Sequence, residues 1–305
     1  MRQVSFKKAL FCWFLFLSGL TPGYTNQLYR SWDPGPSICT RSDTAFNLFE
    51  NLPVTYFVNS FKGYNCAEFM FEGRACKLVQ PEKAAPGRPW IWRARFWGHE
   101  PQTDSALLAN GFHVAYCDVS ELFGNNEAIL IWNKFYELVT TAGLASKVVL
   151  EGMSRGGVYA MNWAAENPDK VACVYLDNPV LDLKSWPGGL GRIPNTQHHA
   201  AREALLKSYN LKDSSALLSF RGSPIDKTDK IAAGKYPILI LCADKDEVVA
   251  PEENTYLFEQ LMKGLNADIK VIHKKGYKHH PHSFPDPTVI VGFILSHTLR
   301  GLDGL

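Results

Sequence analysis

The 305-residue sequence lacks the marks of several protein classes. Its 32 lysines and arginines barely exceed its 30 aspartates and glutamates, and no basic block runs longer than a few residues. Nothing therefore points to a nucleic-acid surface, and no nucleic-acid partner is expected. No apolar run reaches the roughly 20 residues that span a bilayer. Internal repeats and low-complexity tracts are missing as well. Cysteine is sparse, at seven residues, and Cys12 lies in the first apolar run. Cys117, Cys173 and Cys242 sit inside "FHVAYCDV", "VACVYL" and "ILILCAD", where a cysteine serves as a small buried hydrophobe. Cys39, Cys66 and Cys76 remain, which allows one disulfide at most, and a core of this size needs none. Metal-ligand spacing is also wanting. His198-His199 has no partner at useful distance, so neither a metal nor a cofactor is expected.

What is present begins at the N-terminus. "MRQVSFKK" is basic, "ALFCWFLFLSGL" is apolar, and "TPGYTN" brings small and turn-forming residues. That order predicts a signal peptide over residues 1–25 and a secreted or periplasmic protein with no stable membrane insertion after its removal. Residues 26–60 carry no usable periodicity and are taken as an N-terminal extension. Residues 61–305 then form one α/β domain.

Within that domain "CAEFMFEGRACKLV" reads as a hairpin turning at Glu72-Gly73. Apolar strands and helices alternate afterwards. "PWIWRARF", "FHVAYCDV", "KVVLEG", "VACVYLDNP", "PILILCAD" and "DIKVIHK" are the strands. "TDSALLANG", "NNEAILIWNKFYELVTTAG", "GGVYAMNWAAENP", "PEENTYLFEQLMKG" and "PTVIVGFILSHTLRG" are the helices. Strands apolar throughout, separated by helices, imply a mostly parallel central sheet covered on both faces, with the antiparallel hairpin at one edge. The alternation stops over residues 180–235, where "KSWPGGLGRIPNTQHH" and a helix predicted over "AAREALLKSY" indicate a cap-like insertion before the penultimate strand.

The chemistry centres on "VVLEGMSRGG". Gly152-Met153-Ser154-Arg155-Gly156 stands where a strand meets a helix, and glycines two residues either side of a serine suit a sharp strand-to-helix turn. Such a turn lifts the hydroxyl above the carboxyl edge of the sheet, in front of helix amides. A serine hydroxyl is a poor nucleophile at neutral pH and needs a histidine base oriented by a carboxylate. In sheet enzymes of this kind those partners follow in the order serine, acid, histidine, each beyond a strand end. "CADKDEVVAPEEN" supplies Asp244, Asp246 and Glu247, and "GYKHHPHS" supplies His279, His280 and His282.

On "EGMSRGG", "CADKDEVVAPEEN" and "GYKHHPHS", in that order, the chain from about Cys66 onward resembles the α/β-hydrolase superfamily. In "RPWIWRARFWGHEP" and "LDNPVLDLKSWPGG" it also resembles a bacterial subgroup often found among polysaccharide-degrading enzymes. The resemblance implies the α/β-hydrolase fold and a catalytic set of Ser154, Asp246 and His279. Asp246 is preferred because the family acid precedes an aliphatic pair, here Val248-Val249, which leaves Asp244 as a turn residue. His279 is preferred because the family histidine comes first after a glycine-containing turn. His280 is its competitor, and His282 is read as ordering the loop. The oxyanion hole would use the Arg155 amide and a second amide from Ala94 or Arg95, since no H-G-G-G run is present.

Arg93 and Arg95 alternate onto one side of their predicted strand, and with Arg155 they would suit an anionic substrate group. The competing reading pairs them with Glu100, Asp118 or Glu121. Trp186, with Trp92 and Trp97, would form an aromatic wall against a sugar ring, and His99 joins Arg93 and Trp186 as a substrate-binding candidate. The expected activity is that of an exported carboxylesterase removing an acetyl or methyl ester from a small-molecule or oligosaccharide substrate. One rival is a prolyl-oligopeptidase-like peptidase, which usually carries a large N-terminal domain that about 40 residues before the hairpin do not provide. The other is a non-catalytic binding protein on the same scaffold, for which loss of a triad member would be the sign.

Overall fold

In the computed structural model, residues 46–192 and 198–298 are described; the signal-peptide reading, Cys12 and Cys39 fall outside them. Nine strands form one sheet: β1 (Phe57–Phe61), β2 (Tyr64–Phe71), β3 (Arg74–Val79), β4 (Trp90–Arg93), β5 (His113–Cys117), β6 (Val148–Met153), β7 (Val171–Asp177), β8 (Ile238–Ala243) and β9 (Ile269–Lys274). Their spatial order is β1-β2-β3-β5-β4-β6-β7-β8-β9. β1, β2, β3 and β5 pair antiparallel, and every pairing from β5 through β4 to β9 is parallel. This is the α/β-hydrolase fold, a mostly parallel sheet with an antiparallel N-terminal edge.

Two buried cores flank the sheet. On one face α2 (Asn126–Thr141), α3 (Gly156–Glu166) and α6 (Thr255–Gly264) cover residues such as Leu150, Val174 and Ile240. On the other, α1 (Gln102–Ala109) and α7 (Thr288–Thr298) cover Ile91, Val149 and Leu239. Consecutive strand residues thus face opposite cores, which is why these strands are apolar without alternation. Trp92 stacks on Trp132 at 4.3 Å and meets Trp163 edge-on at 5.3 Å, fully inside the first core.

One boundary is redrawn here, and two of the three remaining cysteines are placed. The extension is not featureless, because β1 adds a third antiparallel strand outside the predicted hairpin. Four of its five residues are exposed, so neither face imposes the apolar alternation by which strands are recognised. Cys66 and Cys76 are both buried free thiols, and Cys76 faces Cys117 across β3 and β5 rather than Cys66. No helix among the described residues is long and apolar enough to cross a membrane.

The segment between β7 and β8 carries α4 (His199–Ser208) and α5 (Thr228–Ala233). Leu183, Trp186, Leu205 and Phe220 pack with Phe123 and Val158 of the scaffold, forming a third, smaller core beside the N-terminus of α3. Asn125 ties the two parts together. Its Oδ1 accepts the Ala128 amide at the start of α2, and its Nδ2 donates to Ser208 O at the end of α4.

Candidate active site

Ser154 sits on the turn between β6 and α3 with φ of 49°, a left-handed conformation that an L-residue adopts only under constraint. The constraint is visible in its hydrogen bonds. Its amide donates to Asp177 O at 2.9 Å, and its carbonyl accepts from Gly157 N at 3.0 Å and Val180 N at 2.9 Å. A Cβ at Gly152 would lie 2.9 Å from Gly156 backbone atoms, and one at Gly157 would lie 2.6 Å from Pro179 Cβ. At Gly156 the nearest atoms would stand 3.7 Å away, an ordinary contact. The glycines that close packing demands are therefore Gly152 and Gly157, and the second lies one residue beyond the motif position.

The structure brings Ser154, His279 and Asp246 together from three strand ends. His279 Nε2 lies 3.0 Å from Ser154 Oγ, and His279 Nδ1 lies 2.7 Å from Asp246 Oδ2. The other Asp246 oxygen accepts the amides of Val248 and Val249, both at 2.8 Å. The aliphatic pair after the acid thus has a physical purpose: its turn amides hold the carboxylate while Val249 anchors the turn in the third core. Asp244 instead accepts the Gly276 amide at 2.6 Å, as a turn residue. His280 is exposed, its ring 4.9 Å from that of His279, and it reaches neither Ser154 nor Asp246 by a hydrogen bond among the described residues.

A buried polar group that the sequence did not single out fixes the histidine loop. Asp177, at the end of β7, receives Lys274 Nζ at 2.7 Å, pairs with His282 Nδ1 at 3.0 Å and accepts the Ser283 amide at 2.7 Å. The next residue, Asn178, donates from Nδ2 to His279 O at 2.8 Å and accepts the Ala243 amide at 2.7 Å. The signal available in sequence was the acid-amide pair closing the apolar run "VACVYLDN" and the lysine ending "DIKVIHK". Both look like strand-end polar residues until the topology places them side by side.

The loop after β4 carries the other expected parts. The Ala94 amide donates to Glu151 O at 2.9 Å, so it belongs to the sheet and is removed as an oxyanion-hole candidate. The amides of Arg95 and Arg155 donate to no acceptor among the described residues. Gly156 brings the two segments close, a Cβ built there falling 3.9 Å from Arg95 N. Of the expected donors, these two amides are the ones left free on the segments that Gly156 brings together.

Arg93 is corrected from substrate contact to internal anchor. It is 1% exposed, and its Nη1 binds Asp104 and lies 3.3 Å from Glu151 Oε1. Its Nε donates to Phe96 O at 3.1 Å and its Nη2 to His99 O, which shapes the loop that presents Arg95. Burial opposes the Arg93 charge, yet Asp104 and Glu151 outweigh it and its pKa rises. Burial holds the Glu151 carboxyl well above the ordinary range in spite of Arg93. The alternation that paired Arg93 with Arg95 also fails, because β4 ends at Arg93.

The proposed aromatic wall is likewise corrected. Trp92 is core, and Trp97 packs on Phe61 at 4.6 Å and Tyr116 at 5.6 Å. Trp186 alone approaches the site, 5.5 Å from the Arg155 guanidinium carbon and 5.6 Å from the His198 ring. His99 stands half-exposed at the rim, its ring 5.8 Å from His280.

Among the described residues, two groups put three potential metal donors within 4.8 Å of one another: His279, His280 and His282, and His99, Glu100 and His280. His279 already spends both ring nitrogens on Ser154 and Asp246, and Glu100 accepts the His282 amide.

Solved structures similar to this chain share its fold. S-formylglutathione hydrolase from Agrobacterium tumefaciens aligns with a TM-score of 0.57 at 16% identity, over 80% of this chain and 96% of its own. Est1E from Butyrivibrio proteoclasticus aligns with a TM-score of 0.53 at 15% identity, over 81% of this chain and 99% of its own. Porphyromonas gingivalis dipeptidyl peptidase 4 aligns with a TM-score of 0.54 at 13% identity, and there this chain spans only 35% of the other. A search of curated proteins finds no match. The profile of the prolyl oligopeptidase family matches residues 136–291, which run from α2 through Ser154, Asp246 and His279 into α7. That match takes in just over half of the 305 residues, and the chain belongs to the prolyl oligopeptidase family of hydrolases.

Proposed function

We propose that the protein is a serine hydrolase that cleaves carboxylic esters through an acyl-enzyme on Ser154. The observation that carries this reading is the unbroken line Asp246 Oδ2, His279 Nδ1, His279 Nε2, Ser154 Oγ, with separations of 2.7 and 3.0 Å. His279 takes the hydroxyl proton as Ser154 Oγ bonds to the substrate carbonyl carbon. Asp246, fixed by two backbone amides, keeps Nδ1 protonated and steadies the imidazolium. The oxyanion forms opposite the Arg95 and Arg155 amides, aligned in advance. His279 returns the proton to the leaving oxygen, the carbon–oxygen bond breaks, and a water activated by the same imidazole releases the acid.

Peptide hydrolysis is the second reading, supported by the family match. The ester reading is preferred because two fold neighbours that this chain matches over nearly their full length are S-formylglutathione hydrolase and Est1E. The peptidases extend far beyond the match. A carbohydrate ester as substrate and an exported enzyme remain our finer proposals. They rest on the N-terminal run, the likeness in "LDNPVLDLKSWPGG" and the position of Trp186 beside Arg155.

A panel of 4-nitrophenyl esters, acetylated oligosaccharides, methyl esters of uronic acids and proline-containing peptide anilides tests the proposal, with Ser154→Ala as control. Ester hydrolysis lost in the control supports it. Cleavage of the anilides alone replaces it with the peptidase reading, and turnover surviving Ser154→Ala refutes the mechanism.

A further inference from the structure

We propose that the side chains of Arg95 and Arg155, with the Trp186 indole N–H, form an anion-binding subsite beside Ser154 that takes a carboxylate on the substrate. This rests on Ser154 marking the reacting centre and names the substrate class more closely. Three observations carry it. First, Arg95 Nε, Arg155 Nε and Trp186 Nε1 are all buried without an acceptor among the described residues. A buried donor left unpaired costs free energy that a bound acceptor would recover. Second, neither guanidinium forms a salt bridge among the described residues, whereas the neighbouring Arg93 has both Asp104 and Glu151.

Third, the two arginines are neighbours. A Cβ built on Gly156, the residue after Arg155, would stand 3.7 Å from the Arg95 Cβ, and both charges act on the Tyr159 phenol. Burial first, and then the Arg95 charge, weaken the hold of Arg155 on its proton. Two like charges set together without a counter-ion repel each other until an anion joins them.

Aromatic packing accounts for the guanidinium planes but not for their edges. Arg155 lies 5.0 Å from the Phe123 ring and 5.5 Å from that of Trp186, and Arg95 lies 4.8 Å from that of Phe96. Each guanidinium packs on a ring while its Nε lacks an acceptor among the described residues, and a guanidinium edge is what bidentate carboxylate recognition uses. A carboxylate bound there would sit on the Arg155 side of the nucleophile, in either the acyl or the alcohol part of the ester.

Binding to the Ser154→Ala protein tests this without turnover, so it reads separately from the hydrolase proposal. Two pairs are titrated by calorimetry at constant ionic strength: monomethyl succinate against methyl butyrate, and 3-acetoxybenzoate against phenyl acetate. The first pair places the carboxylate in the acyl part and the second in the alcohol part. We expect the anionic member of one pair to bind at least about tenfold more tightly. Arg95→Gln or Arg155→Gln, added to Ser154→Ala, should remove that preference while Arg155→Lys retains part of it. Equal binding within both pairs, including no binding of either member, overturns the inference. So does a preference that survives in both glutamine variants.

Discussion

At the scale of single residues, the turn around Ser154 separates glycines that the backbone requires from one that it tolerates. Gly152→Ala drives a Cβ to 2.9 Å from fixed backbone, and overpacking of that kind costs about 1–3 kcal/mol. Gly156→Ala meets nothing closer than 3.7 Å. Thermal unfolding should show a melting point several degrees lower for the first variant and near-native for the second. Asp246→Asn keeps the shape of the acid but favours the wrong imidazole tautomer, and kcat should fall on the order of 10⁴-fold. Burst kinetics would divide that loss between acylation and deacylation, since the same imidazole serves both. Motif spacing alone marked Gly152 and Gly156 as equivalent; the contact that makes Gly157 the tight one comes from Pro179, a segment the motif does not contain.

Among elements, the loop that carries His279 depends on the end of β7. Asn178 has φ of 43°, so Asn178→Gly preserves the backbone while removing the amide that holds His279 O and Ala243 N. Loosening a catalytic base in this way typically costs on the order of 10-fold to 100-fold in kcat with a smaller change in KM. Lys274→Met acts through the same loop by leaving Asp177 without its buried cation, and urea unfolding should report a loss of about 3–5 kcal/mol. Most elements were legible because strands buried on both faces and helices with a packed face impose their periodicities directly. What escaped were the polar partnerships between elements. A glutamate inside "VVLEGM", a wholly buried strand, signals that a cation must lie nearby. That the cation is Arg93 follows from the parallel register Arg93↔Glu151, which one sequence does not encode locally. β1 escaped for the opposite reason, since an exposed edge strand has no buried face to write a pattern.

For the whole molecule, a buried histidine in the sheet adds to how the fold responds to acid. His113 in β5 is 1% exposed, and burial foremost pushes its pKa from 6.5 down to about 4, with Arg88 adding to the effect and Pro89 O opposing it. The folded protein therefore keeps this imidazole neutral. Its contribution to stability is complete above pH 6.5 and is lost as pH falls toward about 4, where the unfolded chain takes up the proton first. Between pH 7.5 and 5 the wild-type protein should lose about 2 kcal/mol more than His113→Phe, read from urea midpoints at both values.

The central claim concerns the nucleophile, and its most direct measurement is the site of covalent labelling by a fluorophosphonate probe, mapped by peptide mass spectrometry. The account predicts a single adduct on Ser154, absent in Ser154→Ala and slowed strongly in His279→Ala. Labelling at another residue, or undiminished labelling of Ser154→Ala, would contradict it.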